Sequence, residues 1–214
     1  MIIVSRYNED ISWLKRYNED HLIYNKGDKI EDEYNVLDIE NIGNNQRDIF
    51  KFIYDNYNDL PDKMIFVQGY PFDHCNEERF KELIKNDKFT PLETFEHLPE
   101  SLVHRKGLDG GYMELNNSWY IQAHNSTFNQ NCKYYSFDNF MNTIFKNYEH
   151  LEWIRFTPGS QYVIMKENVL KYSKKFWERM MNELPKNNMT EGHIIERSLL
   201  LILDKNYEVV DELQ

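Results

Sequence analysis

The chain has 214 residues, of which 41% are hydrophobic and 15% aromatic, so it has ample material for a folded domain with its own core. Its net charge of −11 gives no positive footprint, which argues against a general nucleic-acid binder and against a protein that binds anionic membranes. No segment has the length of a membrane-spanning helix, and two cysteines are too few for a disulfide framework. These features predict a cytoplasmic protein in a reducing compartment.

The first third of the chain alternates short apolar runs with helical patterns. The apolar runs predict four strands, at residues 2–4, 21–24, 36–39 and 64–67, and the last has the composition of a buried central strand. Apolar residues at helical spacing predict a helix over residues 11–17, with Asp10 as candidate N-cap, and an amphipathic helix over residues 49–57. Strands that alternate with helices indicate an α/β sheet built by crossover connections.

The rest of the chain continues this alternation after a region rich in Pro and Gly. Residues 86–115 indicate an irregular insertion or lid. Helices are predicted at residues 77–84, 137–148, 167–184 and 189–203, the last with Thr190 as N-cap, and strands at residues 119–123, 153–156 and 161–165. We therefore predict a single α/β, Rossmann-like domain over residues 1–214, in which helices flank a central, mostly parallel mixed sheet.

The turn that follows the predicted central strand carries the most informative residues. The apolar run ends at Gln68 and Gly69, and two side chains that bind metals, Asp73 and His74, follow within five positions. In an open α/β sheet, ligands bind just outside the carboxyl ends of the strands. The turn is therefore predicted to form the floor of a metal and substrate site. The alternative is an ordinary strand-to-helix loop in which Asp73 caps the next helix.

Three further polar clusters follow strands or begin helices, and parallel strands would bring all four to one edge of the sheet. One of them, at the start of the helix near residue 49, offers free backbone N–H groups and Arg47 to a phosphate. Such a convergence predicts a site for a nucleoside diphosphate. Its candidate ligands are Ser5, Arg6, Asn8, Glu9, Asn25, Lys26, Gly43, Arg47, Gln68 and Gly69. Surface ion pairs and helix caps are the alternative roles for the charged members of this set.

A second constellation lies at the start of the last predicted helix. Glu191 is in its first turn, and His193, Glu196 and Arg197 follow three and four positions apart on one face. The spacing is not His-Glu-x-x-His, so a zinc-protease motif is excluded. The functional interpretation is a carboxylate base with a His or Arg near a leaving phosphate. The alternative is an amphipathic helix with a polar stripe.

Several stretches of the chain, taken in order, resemble the motifs of one group of proteins. They are residues 3–14, 23–27, 41–43 and 66–74, followed by residues 158–163 and the pair Glu196-Arg197. This succession resembles that of a family of little-characterised proteins from large DNA viruses, fungi and bacteria. The family is similar to the GT-A class of nucleotide-sugar-dependent glycosyltransferases. The matching stretches run from residue 2 to about residue 200, and roughly residues 85–150 match none of the motifs.

The resemblance implies a GT-A-like fold, a UDP- or GDP-type sugar donor and a divalent cation, Mn²⁺ or Mg²⁺. It also implies that the turn after the central strand holds the metal, where GT-A enzymes carry Asp-x-Asp. At that position this chain has Val67-Gln68-Gly69. The nearest acid is Asp73, which with His74 forms the candidate metal-binding pair. If the source is a virus, the expected location is the host cytoplasm.

The leading hypothesis is a glycosyltransferase with a nucleotide-sugar donor and a glycan, protein or small-molecule acceptor. Residues 1–84 would form its nucleotide-binding half, residues 85–150 its lid and acceptor region, and residues 151–214 its C-terminal strand and helices. Glu191 is the expected base for the acceptor hydroxyl, with Asp109 of the lid in reserve. Two alternatives remain: a non-catalytic sugar- or nucleotide-binding module of the same fold, and a metal-dependent phosphoester hydrolase that uses Asp73, His74 and His193.

Overall fold

The structure is a computed structural model that describes residues 1–30, 33–94, 103–106, 112–114, 133–134, 137–184 and 189–210. Its strands are β1 (Ile2–Arg6), β2 (His21–Asn25), β3 (Val36–Asp38), β4 (Lys63–Gln68), β5 (Thr90–Pro91), β6 (Val103–Lys106), β7 (Tyr112–Glu114), β8 (Trp153–Arg155) and β9 (Tyr162–Met165). Its α-helices are α1 (Asn45–Asn56), α2 (Glu77–Leu83), α3 (Phe137–Ile144), α4 (Lys166–Leu170), α5 (Lys174–Asn182) and α6 (Met189–Asp204). Short 3-10 helices include Ser12–Arg16, Pro71–Asp73 and Pro158–Ser160.

Six strands form one open sheet in the order β3-β2-β1-β4-β9-β5. Strands β3, β2, β1 and β4 pair in parallel, each with the next in this order. Strand β9 is antiparallel to both β4 and β5. A separate antiparallel sheet has the order β7-β6-β8. The α/β fold predicted from the sequence, with a mostly parallel mixed sheet flanked by helices, is confirmed.

The large sheet is buried on both faces because side chains alternate along each strand. On β4, Phe66 packs into the larger hydrophobic cluster, which also contains Phe50 of α1 and Trp177 of α5. Its neighbour Val67 packs into a second cluster on the other face, with Phe80 of α2. Burial on both faces is the reason that the central strand is a continuous apolar run in the sequence.

Two of the predicted elements are divided or structured differently in the protein. The helix predicted over residues 167–184 is in fact two helices, α4 and α5, because the chain turns at Ser173, whose Oγ accepts a hydrogen bond from the Phe176 N–H at 3.2 Å. Ser is a favoured N-cap residue, and it restarts the helix here. The region predicted to be irregular, residues 86–115, contains the short strands β5, β6 and β7.

Helix boundaries account for the other differences. Ile11 is at the N-cap of the 3-10 helix Ser12–Arg16, so the prediction of Asp10 was wrong by one position; Asp10 instead accepts hydrogen bonds from the Ser12 N–H and Oγ, both at 2.9 Å. Helix α6 begins at Met189, which makes Thr190 a helical residue and not a cap. The predicted strand at residues 119–123 lies outside the described residues. Within the described ranges, no helix is both long and apolar enough to cross a membrane.

Candidate functional site

The strand order identifies one edge of the sheet as the place where a ligand would bind. From β1 the chain adds β2 and β3 on one side, and then β4 pairs with β1 on the other side. Ser5 of β1 lies opposite Gln68 of β4 in this parallel pair. Doubly wound sheets bind ligands in the crevice at the carboxyl ends of the strands where the order reverses. In this protein the reversal lies between β1 and β4.

A buried ion pair closes the corner between β1, β2 and α1. Asp48 is 1% exposed, and its Oδ2 accepts a hydrogen bond from Ser5 Oγ at 2.5 Å and lies 2.7 Å from Lys26 Nζ. Burial raises the pKa of the Asp48 carboxyl, and the Lys26 ammonium opposes that rise. Asp48 Oδ1 has no hydrogen-bond partner among the described residues. Asp48 also borders a cavity of ≈10 Å³, about the space that one water molecule requires.

The loops after β1 and β2 are joined by hydrogen bonds between candidate ligand residues. Arg6 Nη1 donates to Asn25 Oδ1 at 2.6 Å, and Asn25 Nδ2 donates to Asp38 Oδ1 at 2.8 Å. Asn8 Oδ1 accepts from the Asp28 N–H at 2.7 Å, which ties the two loops together again. We call Ser5, Arg6, Asn25, Lys26 and Asp48 the polar corner.

Two other features of these loops are local. Glu9 Oε2 accepts a hydrogen bond from the Tyr7 N–H at 2.7 Å, within the loop after β1. A Cβ atom on Gly27 would lie 1.7 Å from the Tyr7 carbonyl oxygen, so only glycine allows the two loops to approach this closely. Most of the polar groups at these strand ends therefore bind one another.

The N-terminus of α1 has groups suited to an anion. Gly43 precedes it with a φ of +63°, and Arg47 packs over this glycine. At the N-cap, the Asn44 side chain forms no capping hydrogen bond in the described structure. Arg47 has no ion-pair partner within the part of the chain that the structure describes. Helix N-termini attract anions through free N–H groups and the helix dipole, and the Arg47 guanidinium adds a full charge.

The turn after β4 is held by hydrogen bonds to Gln161, which was not among the candidate residues chosen from the sequence. Gln161 is fully buried; its Oε1 accepts from the Gln68 N–H at 3.2 Å, and its Nε2 donates to the Pro71 carbonyl at 3.0 Å. The indole N–H of Trp13 donates to the Gly69 carbonyl at 2.8 Å. The only sequence signal for Gln161 was its place in the segment of residues 158–163 that resembled the family's motif.

Asp73 and His74 lie at the end of the 3-10 helix that follows this turn. Asp73 is exposed, and His74 is half-buried. Among the described residues, no group of three or more His, Cys, Asp or Glu side chains is placed to hold a metal ion. The role of Asp73 and His74 as metal ligands therefore stays a prediction from the sequence.

The turn Pro158–Ser160 connects this region with α1 and α6. Gly159 has a φ of +70°, and its N–H donates to Glu196 Oε1 at 2.9 Å, while its carbonyl accepts a hydrogen bond from Asn45 Nδ2. A Cβ atom on Gly159 would lie 2.8 Å from both Gln68 Nε2 and His74 Cδ2. Chain segments that are distant in sequence thus meet directly beside the β4 turn.

Glu191, in the first turn of α6, is a buried carboxylate close to the α1 N-terminus. It is 2% exposed, and its Oε1 accepts a hydrogen bond from the Lys133 N–H at 2.7 Å. Its Oε2 is buried without a partner among the described residues. Burial raises the pKa of the Glu191 carboxyl. The next residue, Gly192, lies so close to Asn44 that a Cβ atom would be 2.6 Å from its Nδ2.

The other polar residues of α6 form a local network. Arg197 is 3% exposed, and its Nη1 donates to the His193 carbonyl at 3.2 Å and to Glu196 Oε2 at 3.1 Å. Burial lowers the pKa of the His193 imidazole, and the nearby Arg197 lowers it further. The lowered pKa favours the neutral form of this imidazole. Asp109 lies outside the described residues.

The fold and the position of this polar edge define the class: an open, doubly wound α/β protein with a candidate ligand crevice at the carboxyl ends of β1 and β4. A family model described as Protein of unknown function (DUF3431) matches residues 1–212, and the chain belongs to that family. Comparisons with curated proteins and with solved structures gave no match.

Proposed function

We propose that this protein is a glycosyltransferase that binds a UDP- or GDP-type sugar donor at the carboxyl edge between β1 and β4. The observation that carries the proposal is the strand order, whose reversal coincides with the N-terminus of α1. Doubly wound sheets bind nucleotides at this point. The sequence resemblance to GT-A-like proteins, which covers residues on both sides of the reversal, supports the same conclusion.

The donor phosphates would bind at the α1 N-terminus. Arg47 and the first N–H groups of α1 are the groups there that suit a phosphate. Gln68 and Gly69, at the end of β4, border the same crevice from the other side. Arg6, Asn25 and Lys26 have a different part in this scheme: their hydrogen bonds and ion pair hold the loops that shape the crevice.

Glu191 would be the base. Its carboxylate takes the proton from the acceptor hydroxyl; the acceptor oxygen then bonds to the anomeric carbon, and the bond from that carbon to the phosphate oxygen breaks. The nucleoside diphosphate leaves with the electron pair. A carboxylate whose pKa is raised by burial is a stronger base than one in water, and Glu191 has this property. Its neighbour Gly192 contacts Asn44 at the proposed phosphate site.

Asp73 and His74 would hold a divalent cation, if the reaction uses one, together with the donor phosphates. Such an ion supplies positive charge that neutralises the leaving diphosphate. Within the chain itself, Arg47 and the first N–H groups of α1 would also neutralise the leaving diphosphate.

The test is consumption of nucleotide sugars. UDP-glucose, UDP-N-acetylglucosamine and GDP-mannose are each incubated with the protein, with and without Mn²⁺, and the released UDP or GDP is measured. We expect turnover of one donor, through transfer or slow hydrolysis. Removal of a general base typically costs 10²–10⁴-fold, so we expect that loss in Glu191→Gln. Glu149→Gln, which changes an exposed carboxylate, is the matched control and should retain full activity.

The outcomes separate the hypotheses. Equal activity of Glu191→Gln and Glu149→Gln would contradict the role of Glu191. Binding of a donor without any consumption would indicate the non-catalytic binding module. Loss of activity without Mn²⁺ and in Asp73→Ala and His74→Ala would support the metal site, whereas metal-independent turnover would remove it from the mechanism.

A further inference from the structure

The loop after β1 and the turn after β4 are joined by the side chain of Glu9. Its Oε2 accepts a hydrogen bond from the Tyr7 N–H at 2.7 Å, within the loop after β1. The same side chain lies directly on Gly69 of the β4 turn, where a Cβ atom would be 2.5 Å from Glu9 Oε2 and 2.9 Å from Glu9 Cδ. The carboxylate is therefore fixed at the carboxyl ends of β1 and β4, where the strand order reverses.

Glu9 differs from the buried carboxylates because a ligand can reach it. Glu9 is exposed, and its Oε1 has no hydrogen-bond partner in the part of the chain that the structure describes. An ionised carboxylate only accepts hydrogen bonds, at about four positions on its two oxygens. The Tyr7 N–H occupies one of them. A ligand at this place must therefore offer hydrogen-bond donors.

Two exposed aromatic rings belong to the same two segments. Tyr7 is 52% exposed, and Tyr70 is 43% exposed. Ser5 pairs with Gln68 across the two strands, and each tyrosine comes two positions after its strand's member of that pair. The Tyr70 ring meets the Phe72 ring edge-on, at 5.3 Å and 90°, which restrains its orientation. Exposed aromatic rings of this kind are suited to stack on a flat ligand such as a nucleobase.

A series of direct contacts connects Glu9 with the proposed phosphate site. Glu9 lies on Gly69, and the preceding residue, Gln68, is in contact with the Pro158–Ser160 turn: a Cβ atom on Gly159 would lie 2.8 Å from Gln68 Nε2. The Gly159 carbonyl accepts a hydrogen bond from Asn45 Nδ2, in the first turn of α1. A nucleotide whose phosphates bind at the α1 N-terminus therefore has one continuous edge along which its base extends to Glu9.

The nucleobases differ in what they offer to a carboxylate. Guanine has two adjacent donors, N1–H and the N2 amino group. Uracil has one donor, N3–H, which lies between two carbonyl oxygens that repel a carboxylate. Adenine and cytosine present an amino group beside an unprotonated ring nitrogen. A group that only accepts hydrogen bonds therefore selects guanine.

We propose that Glu9 selects guanine, so that the donor is of the GDP type, and that the rings of Tyr7 and Tyr70 provide the surface on which the base stacks. The inference rests on the proposed function, which places a nucleoside diphosphate in this crevice. Glu9 is then a specificity-determining residue and takes no part in the transfer of the sugar.

The test compares GDP with inosine diphosphate (IDP), which lacks only the N2 amino group, and with UDP, by titration calorimetry in the presence of Mn²⁺. The wild type should bind GDP about 10–100-fold more tightly than IDP, because one hydrogen bond to a charged group is lost, and UDP should bind more weakly than GDP.

Glu9→Gln keeps an oxygen acceptor for the Tyr7 N–H, so the loop is retained, but it replaces the charged acceptor with a neutral amide. The ratio of the GDP and IDP affinities should therefore fall by about five- to tenfold. Glu149→Gln changes another exposed carboxylate and is the matched control, which should keep the wild-type ratio.

The tyrosines act on a surface that GDP and IDP share. The double variant Tyr7→Ala, Tyr70→Ala should weaken both nucleotides by the same factor, about tenfold, and leave their ratio unchanged. A double variant that binds both nucleotides as the wild type does would refute the stacking surface.

Two results would overturn the selection of guanine: tighter binding of UDP than of GDP, or a ratio of GDP and IDP affinities that Glu9→Gln leaves unchanged. Turnover of a UDP-sugar in the donor assay would then show that the proposed function stands without it. A preference for GDP that depends on Glu9, without consumption of any GDP-sugar, would support the inference and refute the transferase. Absence of binding of all three nucleotides would overturn both.

Discussion

The polar corner and the first turn of α6 each contain a carboxylate that is almost completely buried, but the two carboxylates differ in their hydrogen-bond partners. In the corner, one oxygen of Asp48 receives both the Ser5 hydroxyl and the Lys26 ammonium. At the start of α6, one oxygen of Glu191 receives one backbone N–H, and its other oxygen is buried without a partner among the described residues. Burial raises the pKa of both carboxyls, and a lysine opposes the rise in each case. Lys26 does so as an ion-pair partner of Asp48, whereas Lys133 forms no ion pair with Glu191 in the part of the chain that the structure describes.

This difference separates polar residues that build the site from those with hydrogen-bond capacity that remains unused. The corner borders a cavity of ≈10 Å³, whereas the space beside Glu191 is ≈260 Å³. Side chains whose hydrogen-bond capacity is used internally position the loops, and a ligand would have to break those bonds to reach them. Exposed groups with remaining capacity, such as the Glu9 carboxylate, are the ones that a ligand satisfies at no such cost.

The largest effect is expected when the polar corner is broken at its ion pair. Lys26→Met removes the cation and leaves Asp48 as an uncompensated buried charge, which typically costs about 3–5 kcal/mol. Chemical denaturation at pH 7 should show this loss in the free energy of unfolding. The matched control is Lys51→Met, which breaks the exposed Lys51–Asp55 pair on α1, the helix that also carries Asp48. This control should cost no more than about 0.5 kcal/mol. Equal losses in the two variants would show that the corner is not a structural unit.

A smaller effect is expected at the buried amide beneath the β4 turn. Gln161→Leu keeps the approximate volume but leaves the Gln68 N–H and the Pro71 carbonyl without their partners, so we expect a loss of about 2 kcal/mol. The measurement is again chemical denaturation. Asn35→Ala removes an exposed hydrogen bond to the His21 carbonyl and should change stability by less than about 0.5 kcal/mol. If Gln161→Leu were as stable as Asn35→Ala, the two hydrogen bonds of Gln161 would not stabilise the β4 turn.

The smallest effect on stability is expected at Glu191, and its sign depends on pH. The folded-state pKa of Glu191 is raised, so its stabilising contribution is complete below the unfolded value of 4.5 and is lost as pH rises through the folded pKa. Gln cannot ionise, so the variant does not lose this stability as the pH rises. The free energy of unfolding of Glu191→Gln, relative to the wild type, should therefore increase from pH 4 to pH 8, by about 1 kcal/mol or less. A difference that stays flat, as we expect for Glu149→Gln, would contradict the raised pKa.

The sheet was largely predictable from the sequence because its signals are local. Runs such as residues 2–4 and 64–67 are apolar throughout, since both faces of the sheet are covered, and the alternation with helices indicates parallel pairing. The break between α4 and α5 was missed because apolar residues continue across it at helical spacing, and one Ser cap gives a weak signal.

The partners of polar side chains were not predictable, because they come from distant parts of the chain. Glu191 was selected from its position at a helix start, but its partner Lys133 is 58 positions away, and Gln161 is 93 positions from Gln68. The sequence placed Arg6 and Arg47 in the same class of candidate ligands. Only the packing of the loops distinguishes Arg6, which binds Asn25, from Arg47, which packs over Gly43 at the helix N-terminus.

The most direct test of the proposed nucleotide site is titration calorimetry of UDP and of GDP, each with and without Mn²⁺, against the wild type, Arg47→Ala and Lys51→Ala. We expect one nucleotide to bind the wild type and Lys51→Ala equally. Arg47→Ala should bind it about 10–100-fold more weakly, because a charge-assisted hydrogen bond to phosphate is worth about 1.5–3 kcal/mol. Absence of binding to the wild type, or equal affinities of Arg47→Ala and Lys51→Ala, would contradict the proposed phosphate site.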